Sequence, residues 1–128
     1  MLPDGLIVVD PVDGGGPKAT RLTATATPAR FGSRTLVIGA GRGGRCAPEP
    51  VNHDVFAAAA PLGASHVVVR EMGHADLLDD RSRRLARLLC PGHDHPDLAR
   101  LTVVELMRAF LDGARPPIGT TPVVFDVQ

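Results

Sequence analysis

Asp10 and His74 are the residues of this chain best placed for acid–base chemistry. Asp10 closes the apolar run Leu6-Ile7-Val8-Val9, and His74 follows His66-Val67-Val68-Val69, a run that continues to Met72 and Gly73. A histidine can take a proton from a nucleophile and return it to a leaving group. An acid beside it holds the right tautomer and stabilises the imidazolium. An acid at one strand end and a histidine at a later one are two thirds of a Ser-His-Asp triad. Asp13 lies three residues beyond Asp10 and competes for the acid's role; Asp10 is preferred because it sits at the strand end. The plainer readings are an Asx turn at Asp10-Pro11 and a turn residue at His74. The third member is missing. Ser33 (FGSRT), Ser65 (GASHV) and Ser82 (DRSRR) are the chain's only serines. None has glycines two residues away on both sides, as a GxSxG nucleophile elbow requires.

Two further patterns bear on chemistry. Gly39, Gly41 and Gly44 satisfy GxGxxG after an apolar run, but Cys46, Pro48 and Pro50 follow. A dinucleotide site needs a helix to start there, its N-terminus on the pyrophosphate, so these glycines are expected to let the chain pass close to a site instead. Cys90, His93 and His95 offer metal-ligand atoms in one loop with Asp94 and Asp97. A metal site needs three or four convergent ligands with outer support. The plainer reading is a solvated Pro/Gly loop, and no cofactor or metal is expected. The alternative function is a non-catalytic binding or interaction module, metal-loaded through Cys90, His93 and His95.

The elements that must position these residues form a simple pattern. Runs at 6–10, 35–39 and 66–72 are β-branched, unbroken and stopped by Gly or Pro. Such runs fit strands buried on both faces of a parallel sheet. Residues 11–34 read as a long loop. Helices are expected at 51–60, with Asn52 as N-cap, at 76–89, and at 98–112, with Gly113 as C-cap. The 98–112 stretch spaces Leu98, Leu101, Val104, Leu106, Met107, Phe110 and Leu111 at roughly helical intervals. Asp76, Asp79 and Asp80 read as caps of the 76–89 helix, Asp76 also as a brace for the His74 loop. Arg81, Arg83 and Arg84 read as a solvated face. The tail from 114 to 128 is loop with a short edge strand. Strands alternating with helices predict an α/β fold with a parallel sheet.

Composition narrows the function. Lys+Arg and Asp+Glu both number 14, for a net charge of +0. That excludes the basic stripe a nucleic-acid binder needs and a polybasic membrane-surface module. Trp and Tyr are absent, which disfavours base stacking. No run approaches the length of a transmembrane helix. The opening MLPDGLIVVD has no basic n-region, so no signal peptide is read and a cytoplasmic location is the default expectation. Cys46 and Cys90 form no CxxC pair; two free thiols are the expected state and one bridge the alternative.

Three strings, taken together and in this order, resemble the chlorophyllase family of the α/β-hydrolase superfamily: DPVDG after LIVV, CAPEPVNHDVF, and REMGHADLLDD. The resemblance runs from about residue 5 to residue 112. It implies a serine esterase, in chlorophyllases one that cleaves the phytyl ester of chlorophyll. It places the triad acid at Asp10, in the DPV motif, and the base at His74, in the GH motif. It also implies a GHSRGG-type elbow that this chain lacks. The expectation is therefore the C-terminal portion of such a fold over 1–113 with a Pro/Gly-rich tail over 114–128, inactive alone. The substrate would be a small-molecule ester met by a longer parent. The corresponding region of plant members also carries cysteine, which leaves a Cys46–Cys90 bridge open. The strand at 6–10 would have lost its neighbour, and a bare apolar edge invites self-association; a concentration-independent monomer would contradict this.

Overall fold

A computed structural model describes residues 5–15, 20–21, 34–114 and 123–126. In chain order the strands are β1 (Leu6–Val9), β2 (Gly14–Gly15), β3 (Thr20–Arg21), β4 (Thr35–Arg42), β5 (Ser65–Gly73) and β6 (Val123–Phe125). The helices are α1 (His53–Ala59), α2 (Asp80–Ala86) and α3 (Pro96–Leu111). Short 3-10 turns sit at Glu49–Val51 and His74–Leu77. β1, β4, β5 and β6 form one sheet in the order β1-β4-β5-β6, every neighbouring pair parallel. β2 and β3 pair as a separate antiparallel ribbon inside what the sequence suggested was a loop. The fold is thus partial α/β, with four parallel strands rather than three.

Side-chain alternation sends the two faces of the sheet to different helices. Leu36, Ile38, Ala40, Val67, Val69 and Met72 pack with Ala99, Val103 and Phe110 of α3. Val37 meets Phe56 and Ala57 of α1 on the opposite face. Both faces of β4 are therefore dry, which is why its apolar run is unbroken rather than alternating. β4 also runs three residues beyond the predicted end, through Gly41 to Arg42. Gly41 stays in the strand because a Cβ there would lie 2.1 Å from the Arg70 carbonyl oxygen.

The helices depart from the sequence reading in instructive ways. Asn52 caps α1 as expected, accepting the Asp54 N–H at 2.9 Å. The 76–89 helix is shorter. It breaks into the His74–Leu77 turn and α2, which Asp79 caps by accepting from the Arg81 and Ser82 N–H groups. Leu85, Leu88 and Leu89 are exposed, so their spacing did not mark a buried stripe. α3 begins two residues early because Pro96, with its preset φ, suits the first helical position. Its buried face is Ala99, Val103 and Phe110, with Leu106 and Met107 partly covered, while Leu98, Leu101, Val104 and Leu111 point outward. Of the expected stripe, Leu106, Met107 and Phe110 do face the core, whereas the other four do not, because the contact with the tightly packed sheet is made through the small Ala99 and Val103.

Cys46 and Cys90 form a disulfide, their Cα atoms 5.5 Å apart. This corrects the expectation of free thiols. The bridge ties the loop after β4 to the chain after α2 and closes a loop of 44 residues. Chain-entropy arguments put its contribution at about 4 kcal/mol. Reduction, or the C46S/C90S double substitution, should lower the urea-unfolding free energy by that order. An unchanged midpoint would show that the bridge carries no stability.

Candidate active site at the carboxyl ends of the strands

Asp10 follows β1 directly, where parallel α/β sheets gather their chemistry. Its N–H donates to the Ile38 carbonyl at 2.6 Å. The backbone then turns with φ +41, the one positive φ at a non-glycine among the described residues. Asp tolerates this left-handed region better than most residues, and such outliers concentrate at functional sites. The turn aims the carboxylate back over the sheet. Oδ1 accepts the Ala40 N–H at 2.8 Å. Oδ2 lies 2.6 Å from Nδ1 of His74. The side chain of Asp10 is fully buried, while that of His74 is 36% exposed.

His74 opens the 3-10 turn after β5. The hydrogen bond to Asp10 raises its pKa above the ordinary 6.5, and the carboxylate's charge adds to this; partial burial opposes both. With Nδ1 held by Asp10, Nε2 is the nitrogen left to exchange a proton. The structure thus brings Asp10 and His74 together. Asp13 is also buried, and its N–H donates to the Val51 carbonyl at 2.7 Å. The linkage has a definite sign. The Asp10–His74 pair adds stability fully below the unfolded histidine pKa and loses it as pH rises through the higher folded value.

Beneath His74 lies a support that the sequence reading only half anticipated. Asp76 is completely buried. Its Oδ2 accepts the Gly73 N–H at 2.8 Å and the His93 N–H at 2.7 Å, and its Oδ1 accepts from Arg83 Nε at 2.8 Å. The Arg83 guanidinium also donates to the His93 carbonyl. Arg83 is therefore buried and paired, not part of a solvated face. Gly73 and Gly92 permit this closeness: a Cβ on Gly73 would meet the Pro91 carbonyl oxygen, and one on Gly92 the Asp76 carboxylate at 2.4 Å. The signal available in sequence was an aspartate two residues after His74 with an arginine seven residues on.

The other sequence candidates separate. Gly39 and Gly41 lie inside β4 rather than in a phosphate-cradling loop. Cys90 is consumed by the disulfide, so the predicted Cys90-His93-His95 metal set has lost its thiolate. His93 is further occupied: its Nε2 lies 3.0 Å from Glu71 Oε2, and its Nδ1 accepts the His95 N–H at 2.8 Å. Ser65 starts β5, whereas His74 follows its end, nine residues or roughly 30 Å along an extended strand. Ser82 lies on α2, and Ser33 falls outside the described residues. A cavity of about 440 Å³ opens beside Ala40, between the end of β4 and the start of α1; Arg42, Gly44, Asn52, His53 and Val68 help line it. That volume suits a small ligand. No helix among the described residues is long and apolar enough to cross a membrane.

Comparison with known proteins identifies the family. Chlorophyllase-2 of Arabidopsis thaliana is 34% identical over 129 aligned positions, covering 84% of this chain and 41% of that protein. The chain thus spans less than half the length of the curated relative it matches. The family model described as Chlorophyllase matches residues 4–115, most of the sequence. The chain belongs to the chlorophyllase family.

Proposed function

We propose that this chain supplies the acid–base half of a carboxylic-ester hydrolase that works by a Ser-His-Asp mechanism. The observation that carries the reading is the 2.6 Å contact between the buried Asp10 carboxylate and Nδ1 of His74. Membership of the chlorophyllase family supports hydrolase chemistry. His74 Nε2 would take the proton from a serine Oγ as that oxygen attacks the ester carbonyl, then deliver it to the departing alcohol. Water would repeat the sequence on the acyl-enzyme. Asp10 would hold the tautomer and balance the imidazolium charge. The serine would come from the part of the family's length that this chain does not span. β1 has no partner on its outer edge among the described residues, and the strand leading to that serine would pair there. In the 128-residue chain alone the same edge would favour self-association. An ester of the chlorophyll type is the substrate class the family suggests.

The pair can be tested directly. The base must be neutral, so hydrolysis should rise with pH through a pKa above 6.5. Asp10→Asn removes the first and largest cause of the raised value. The His74 titration, followed by NMR on the chain itself, should then move to lower pH. In the longer enzyme the same substitution should cost roughly 10⁴-fold in kcat. A His74 titration indifferent to D10N would remove the basis of the proposal.

A further inference from the structure

A second cluster lies under α1, on the face of the sheet away from α3. The chain reverses after α1 and returns as β5, which brings residues 13 apart into contact. His53 and Asp54 open α1, and His66 is the second residue of β5, in register with Val37. Both histidines are buried. The His53 ring lies flat against β4 at Gly39, where a Cβ would stand 2.4 Å from its ring atoms. Any other residue at Gly39 would push the ring away.

Three donor atoms converge. His53 Nδ1 is 2.9 Å from His66 Nε2. Asp54 Oδ1 is 3.4 Å from the first and 3.9 Å from the second. A triangle with these sides has a centre about 2.0 Å from every corner, the length of a zinc–nitrogen or zinc–carboxylate bond. The spacing therefore needs little rearrangement to accept an ion. His53 and Asp54 also line the 440 Å³ cavity, so a fourth position has access to water or a small ligand, and the ion has a way in. Two imidazoles with one carboxylate suit zinc and its transition-metal neighbours better than calcium or magnesium.

We propose that His53, Asp54 and His66 form a binding site for a zinc-class divalent cation, open on the cavity side. Without the ion, one proton is shared between His53 Nδ1 and His66 Nε2. On binding, the ring that carries this proton changes tautomer: it loses the proton from the liganding nitrogen and gains one on its other nitrogen. Two nitrogen lone pairs and one carboxylate pair go to the ion. The site is separate from the Asp10–His74 pair and does not depend on the esterase reading. Its structural effect is to pin the first turn of α1 to β5.

The test uses the untagged, disulfide-intact chain, stripped with chelator and titrated with Zn²⁺ by calorimetry and with Co²⁺ by visible absorption. One ion per chain is expected, with the intense d–d bands of a four-coordinate cobalt site. Zn²⁺ should shift the imidazole ¹⁵N signals of His53 and His66 and leave those of His93 and His95 in place. Asp54→Asn, at an exposed side chain that the fold tolerates, should weaken binding at least tenfold, and His53→Gln further; His95→Ala should change nothing. No stoichiometric binding, binding unaltered by D54N and H53Q, or shifts confined to His93 and His95 would each overturn the proposal. The ¹⁵N measurement on the unsubstituted chain decides the matter even if H53Q fails to fold.

Discussion

Replacing His74 with alanine should reduce ester hydrolysis by the proposed longer enzyme roughly 10⁴- to 10⁶-fold in kcat, the range seen when a triad base is removed. In the proposed mechanism the effect is large because one ring would do two jobs. It would accept the nucleophile's proton and then donate it to the leaving alcohol, so both chemical steps would lose their proton carrier. Substrate binding does not use this ring in the proposed mechanism, so KM should change little. The check is a simple p-nitrophenyl ester, assayed at several pH values so that a shifted optimum is not mistaken for a loss. The 128-residue chain alone should give no rate above buffer, since an activated base without a nucleophile has nothing to deprotonate. Turnover of H74A within a few-fold of the parent would end the assignment of His74. Robust turnover by the short chain would end the view that its nucleophile lies elsewhere.

Removing the positive partner of Asp76 should be the most damaging single change to the fold. Arg83→Met leaves a fully buried carboxylate with its guanidinium gone. Breaking a buried pair in this way costs about 3–5 kcal/mol, because the surviving charge keeps its desolvation penalty without its compensation. For a chain of this size that is a fall of roughly 10–20 °C in Tm. Arg83→Lys should lose less, since it keeps the charge while giving up the second donation to the His93 carbonyl. The consequences reach His74. Asp76 holds the Gly73 N–H, the last residue before that ring, and the His93 N–H of the loop packed against it. A loosened Asp76 therefore also loosens the ring's approach to Asp10. Urea melts of R83M and R83K beside the parent chain give the answer; equal midpoints would show that the pair is not structural.

Much of the site was legible in the sequence. Asp10 and His74 were marked by their places at the ends of apolar, β-branched runs, and were assigned as acid and base through the family resemblance of the strings around them. Asn52 as a cap was legible for a local reason: its short side chain reaches an orphan N–H at the start of α1. The cysteines were not legible, because spacing along the chain says nothing of the distance across a turn. Arg83 was misread because an arginine-rich helix face is ordinarily solvated, and only the packing of the Pro91–His93 segment buries that one side chain. Leu98, Leu101 and Leu111 of α3 were misread, because the tight contact with the sheet is made through Ala99 and Val103.

What the sequence by itself determined was the local physics: which three apolar runs must be strands, that Asn52 caps a helix, which acid and which base end up at strand carboxyl ends, and what family the chain belongs to. Those features depend on residues close together in the chain. The tertiary structure alone decided which groups meet. Parallel pairing of β1, β4 and β5 carries Asp10 to His74 across 64 positions. The fold likewise joins Cys46 to Cys90 across 44 and sets His53 and Asp54 against His66. Such meetings follow from register and layer packing, which depend on the whole chain at once.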